Sequence, residues 1–140
     1  MSLLEEALAA AAEESTPNVD VDVELAGKLL PLRFYRLDGE RWAEICAFCP
    51  ARPGSPIDEA YGYNFQDAAR RAAVHSGRLI EDDAEVTLAA TDWAALYKAL
   101  SGHHLNTLDS AIWQLNEHDP QTRVVAAKKG SAAVSPPKPS

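Results

Sequence analysis

Cysteine is scarce in this 140-residue chain. Only Cys46 and Cys49 are present, too few for the disulfide framework that holds small secreted domains together. Positive charge is also short, with 13 Lys and Arg against 21 Asp and Glu and a net charge of −8. That balance opposes binding to a phosphate backbone, so no nucleic acid is expected as a partner. Long apolar runs are missing. The alanine-rich stretch Ala7–Ala12 is far below the roughly 20 residues needed to span a bilayer, so no membrane partner is expected. The opening residues MSLLEEALAAAAEES carry glutamates where a secretory signal carries bases, which makes the cytosol the expected compartment. There is no Gly-rich phosphate loop and no Gly-x-Ser-x-Gly setting for a nucleophile, so nothing seats nucleotide-driven or serine chemistry. The expectation is a protein that is not an enzyme, with no catalytic, cofactor or metal residue to assign.

What is present is uneven in charge. Residues 1–24 hold seven acids and no base, residues 25–119 hold fourteen acids and nine bases, and residues 120–140 hold four bases and no acid. The middle is mildly acidic and the two ends are separate electrostatic entities of opposite sign. The length suits one core. Three regions follow: an acidic helical arm over 1–17, a single domain over 18–119, and a basic Pro/Ser/Ala-rich tail over 120–140 that is expected to be disordered.

Ser2 followed by Glu5 is a capping-box pattern, and Leu4, Leu8 and Ala11 recur at near-helical spacing, predicting a first helix over about 2–14. The period then switches to two. Val19, Val21, Val23 and Leu25 alternate with Asn18, Asp20, Asp22 and Glu24, a half-buried strand. Gly27-Lys28 suits a tight hairpin turn, and LLPLRFYRL reads as the returning strand, with Pro31 facing an open edge. Trp42, Ile45, Cys46 and Cys49 form the stripe of an amphipathic helix. Cys49–Pro56 reads as an ordered loop rich in proline, and Asn64 caps a helix with a narrow face of Phe65, Ala68, Ala69, Ala72 and Ala73 that Gly77 closes. Glu81, Asp82, Asp83 and Glu85 read as a solvated linker. Thr91 is expected to cap a helix carrying Trp93, Leu96, Tyr97 and Leu100. The last helix carries Leu105, Leu108, Ile112 and Leu115 and is expected to stop at Pro120. The fold class expected is α+β, a β-hairpin packed on a small bundle of about four helices, with the helical arm and the tail as appendages.

The sharpest local motif is the Cys46-x-x-Cys49 pair. A zinc site needs two further ligands, and the histidines His75, His103, His104 and His118 form no His-x3-5-His pair among themselves. A thioredoxin-like use needs a βαβ setting that the pattern lacks. Buried structural cysteines are the simpler reading. The alternative function is a small zinc-binding regulatory or adaptor protein using Cys46 and Cys49, and a thiol oxidoreductase stands behind it. His103-His104 reads as a helix corner at the C-terminal end of the Trp93 helix. The acids at 81–85 lack the ordered ligand positions and central glycine of an EF-hand.

The order of elements resembles the tail assembly proteins, or tail assembly chaperones, of long-tailed phages that infect actinobacteria. The resemblance rests on VDVELAGKLLPLRFYRLDGERWAEI, on Gly62-Tyr63-Asn64 opening an alanine-arginine helix, and on TDWAALYKALSG followed by a helix ending LNEHDP, together about residues 19–130. It implies a protein of the host bacterial cytoplasm, absent from the mature virion. Such a protein binds the tape measure protein and assists polymerisation of the major tail protein around it. It also implies a programmed frameshift yielding a longer form with the same N-terminal domain, and Lys128-Lys129-Gly130 lies where such a slip would fall. The opposite charges of arm and tail add an expectation of weak, salt-sensitive self-association.

Overall fold

A computed structural model describes residues 2–133. The fold is α+β, a four-stranded antiparallel sheet in the order β1-β2-β3-β4 with helices on one face. The elements are α1 (Leu3–Glu13), β1 (Asn18–Leu25), β2 (Lys28–Tyr35), α2 (Gly39–Ala47), α3 (Pro56–Tyr61), α4 (Phe65–Ser76), β3 (Gly77–Glu81), β4 (Ala84–Val86), α5 (Ala90–Ala99), α6 (Gly102–Trp113) and α7 (Asp119–Ala133), with a π-helical turn Gln114–His118 between the last two.

The alternation in β1 does what its period dictates. Val21 and Val23 are buried beside Leu32 and Phe34 of β2, while Asp20, Asp22 and Glu24 face solvent. The hairpin turn lies one residue earlier than Gly27-Lys28. Leu25 pairs with Lys28, and Ala26 and Gly27 form the loop with φ of 53° and 79°. A two-residue loop with both residues left-handed matches the twist of the strands it joins, and the Glu24 side chain accepts from Gly27 N–H. Counting back from Leu25↔Lys28, Asp22↔Pro31 is a non-hydrogen-bonded pair, so the proline nitrogen points away from β1. Pairing to β3 begins only at Leu32. Pro31 therefore sits where the second ladder stops.

Residues 81–85 are not a linker. Glu81↔Ala84 closes a second hairpin through Asp82 and Asp83, at φ of 51° and 63°. Aspartate tolerates the left-handed region better than most side chains, so two adjacent acids build the turn that Asn-Gly builds elsewhere. On the outer face Arg33 binds Asp20 through Nε at 2.7 Å and Nη2 at 3.1 Å, and Glu85 through Nη1 at 3.1 Å. Tyr35 Oη also donates to Glu85. The acids thus join β1, β2 and β4 across the sheet.

Ser2 and Asn64 cap helices as the sequence predicts, and Asp38 and Ser101 cap two more. Each of these side chains accepts a backbone N–H in the first turn of its helix. Helix α5 starts earlier than Thr91: Ala89 is its N-cap, and Asp92 reaches back to accept from Ala89 N–H at 3.1 Å. Half of a capping box, supplied by the acid alone, sets that boundary. The proline-rich loop leads into α3, capped by Ser55 with Pro56 in its first turn, a position where a missing N–H costs nothing.

Helix α4 is the centre of the packing, touching α2, α5 and α6 and the strands β2 and β3. Its Ala68, Ala69, Ala72 and Ala73 are fully buried, and their small side chains let the neighbours approach closely. The chain does not stop at Pro120. A proline ring collides with the carbonyl four residues back in an α-helix. Here the widened π turn precedes it, with Asp119 N–H bonding Gln114 O, and helix resumes as α7. Asn116 holds this turn in place. Its Oδ1 accepts from Leu37 N–H and its Nδ2 donates to Ile112 O, each at 2.9 Å. Residues 120–133 of the expected disordered tail are therefore helical, and its remainder, 134–140, lies outside the described residues.

Candidate functional site

The thiols are built into the core. Cys46 is half-buried on α2. Cys49 is fully buried and donates from Sγ to Ile45 O at 3.2 Å. Burial pushes the Cys46 thiol up to about 12 and the Cys49 thiol up to about 11, so neither is activated as a free thiolate nucleophile. The histidines lie elsewhere. His75 contacts the Arg41 guanidinium at 3.1 and 3.2 Å, and His118 stacks on Trp113 with ring centroids 6.2 Å apart. His103 and His104 belong to the first turn of α6 rather than to the end of the Trp93 helix, and His104 Nε2 accepts from Glu24 N–H. Among the described residues, no group of three or more His, Cys, Asp or Glu is placed to hold a metal ion.

The open apolar surface lies between the turn end of the first hairpin and α5. Leu25, Leu30 and Leu79 line it from the sheet, Leu88 from the loop after β4, and Leu96 and Ala99 from α5, around a cavity of about 490 Å³. These five leucines are half-buried, while Leu32 at the floor is buried. The arrangement follows from where α5 is anchored. Trp93 is 1 % exposed and inserts under β3, where Gly77 leaves it room. A Cβ at Gly77 would fall 2.5 Å from the indole and 2.7 Å from Ala73 O. One turn on, α5 stands off from the hairpin, and the leucines that continue the inward pattern of β1 and β2 are left with no covering helix. Trp93, Leu108 and Ile112 are all buried. This apolar opening is thus at the turn end of the first hairpin.

Away from this surface, two buried carboxylates tie down α3, α4 and α6, and pattern reading did not find them. Asp58 of α3 is wholly buried. It accepts from Arg52 Nε at 2.8 Å, Arg52 Nη2 at 3.1 Å, Arg52 N–H at 2.9 Å and Phe65 N–H at 3.4 Å. The Arg52 side chain, followed by the backbone donors, holds its carboxyl well below the usual carboxylate range. Asp109 of α6 is also wholly buried, with Arg70 Nε at 3.2 Å on one oxygen and no partner on the other. Burial raises it to about 6, against the opposing pull of Arg70. The only advance signal was an acid within an otherwise apolar helix face, Asp109 beside Leu108 and Ile112.

Asp109 sets a pH dependence. A carboxyl whose folded pKa lies above its ordinary 3.8 contributes stability that is complete below 3.8 and lost as pH rises through about 6. Chemical denaturation at steps from pH 4 to 7 is expected to show stability falling by roughly 2 kcal/mol over that window, and Asp109→Asn is expected to flatten the slope. An equal slope in the variant would contradict this assignment.

No helix among the described residues is long and apolar enough to cross a membrane. Compared with protein-family models, with curated proteins and with solved structures, the chain matches none.

Proposed function

We propose that this chain is a non-enzymatic phage tail assembly chaperone that holds an apolar helical segment of the tape measure protein in the groove between the first hairpin and α5. The observation that carries the reading is the groove itself. Five half-buried leucines from β1, β2, β3, the loop after β4 and α5 converge on one opening, a shape and chemistry suited to the apolar stripe of a helix. The thiols are protonated and packed, which suits the structural reading of the Cys-x-x-Cys pair. A helix laid in the groove buries leucines that otherwise face water, and its release leaves the core intact because Leu32, Phe34 and Trp93 lie beneath.

The remaining partners follow from the same reading. The major tail protein is the component whose polymerisation the held segment guides, and the longer frameshifted product is a second form with the same groove. Lys128, Lys129 and Gly130 lie in α7, whose described side chains from Gln121 to Gly130 are all exposed. A changed sequence from that point on leaves the domain undisturbed. A slippery heptamer near the Lys128 codon and an overlapping downstream frame are the expected DNA features.

Co-expression tests the groove. The tape measure protein is expected to remain in the soluble fraction with the wild-type chain and to fall into the pellet with Leu30→Asp/Leu96→Asp. Leu30 and Leu96 are half-buried and pack against the core, so the unfolding midpoint is expected to fall, and circular dichroism of the purified variant checks that it remains folded at the temperature of co-expression. Equal solubility with both chains, or with neither, contradicts the proposal.

A further inference from the structure

Helix α1 buries none of its residues. Leu3, Leu4 and Leu8 are 82 %, 67 % and 62 % exposed. At 11 residues it is also shorter than helices that persist alone in water. Just past its end Glu14 pairs with Arg123, Oε1 to Nη2 at 3.0 Å. Helix α7, at the other end of the domain sequence, has the complementary character: Val124 and Val125 are 56 % and 50 % exposed, and Arg123, Lys128 and Lys129 are its bases. The acids of α1, namely Glu5, Glu6 and Glu13, have no base on their own helix to answer them. The chain's own α7 does not cover the leucines, since they remain exposed with the Glu14–Arg123 pair formed.

We propose that α1 packs on α7 of a second copy of this chain, in a twofold exchange that repeats the same contact twice. Leu4 and Leu8 cover Val124 and Val125 of the second copy, and Glu5 and Glu6 meet its Lys128 and Lys129. The second copy is the occupant because it brings both properties the exposed face needs, an apolar pair and a cluster of bases within two helical turns. An isologous contact of this kind closes on itself as a dimer. It lies apart from the leucine groove and does not depend on what that groove holds.

Sedimentation velocity on the full chain over a range of concentrations tests this. The wild type is expected to dimerise reversibly, more weakly in 1 M than in 50 mM NaCl, because surface pairs are screened while the apolar contact is not. Leu4→Glu/Leu8→Glu is expected to be monomeric. Glu5→Lys/Glu6→Lys alone, and Lys128→Glu/Lys129→Glu alone, should each raise the dissociation constant about tenfold at low salt. Mixing these two charge variants is expected to restore association, since each then presents the opposite charge to the other. A wild type that is monomeric at every concentration overturns the proposal. So does a mixture that associates no better than its components, because that outcome places any arm contact within one chain. Since α1 buries nothing, these substitutions leave the core alone, and an unchanged unfolding midpoint confirms it.

Discussion

Trp93→Ala is expected to remove about 3–5 kcal/mol of stability, measured by chemical denaturation with circular dichroism. Small domains are stable by only about 5–15 kcal/mol, so the variant should be close to unfolding. The indole is 1 % exposed and lies 5.8 Å from the Phe34 ring and 6.3 Å from Tyr97. It is the piece that attaches α5 to the sheet. Its Nε1 has no hydrogen-bond partner, so the loss is one of packing, and Trp93→Phe should recover a good part of it. Gly77→Ala attacks the same contact from the opposite side. With Ala73 O at 2.7 Å from the new methyl, the strand and α4 have to separate, at a cost of about 2 kcal/mol. A Trp93→Ala protein within 1 kcal/mol of wild type would show that α5 is not fastened in this way.

Asp58→Ala is expected to cost about 3 kcal/mol, because it strands the N–H groups of Arg52 and Phe65 and breaks a bidentate pair. The guanidinium that loses its partner is 41 % exposed and can be hydrated, which keeps the loss near the lower end for a buried pair. The carboxyl also has a pH signature opposite to that of Asp109. Its folded pKa is depressed, so its contribution is present above the ordinary 3.8 and lost as pH falls through the lower folded value. Asp58→Asn should therefore blunt the loss of stability on acidification below about pH 4 while leaving the slope from pH 4 to 7 in place. The two carboxylates act in different pH windows, which allows each to be read separately. An Asp58→Asn protein with an unaltered acid limb would contradict the pairing.

Most of the fold was legible where a single period or a cap governed the local choice. Val19, Val21, Val23 and Leu25 announce β1 because strand geometry places alternate residues on one face. Ser2 and Asn64 mark helix starts because each oxygen satisfies a backbone donor there. What escaped was decided by geometry several residues away. The β3-β4 hairpin has only Leu79 and Ile80 as adjacent apolar residues and turns on Asp82-Asp83, a pair whose charge suggests a linker. Pro120 looks like a stop until the π turn upstream removes the collision that would make it one. The leucine groove is the instructive case. Leu25 and Leu30 read as core because they continue the inward register, and only the position at which α5 is pinned by Trp93 leaves them uncovered. Periodicity gives the face a residue occupies but not whether anything lies over it.

The most direct test of the chaperone reading is a titration of methyl-labelled chain with purified tape measure protein, followed by leucine methyl resonances. The account predicts that Leu25, Leu30, Leu79, Leu88 and Leu96 shift or broaden together, while Leu29, 64 % exposed on the opposite face of the sheet, stays in place. Resonances that do not move at saturating tape measure protein, or movement centred on Leu29 with the groove unchanged, would contradict it.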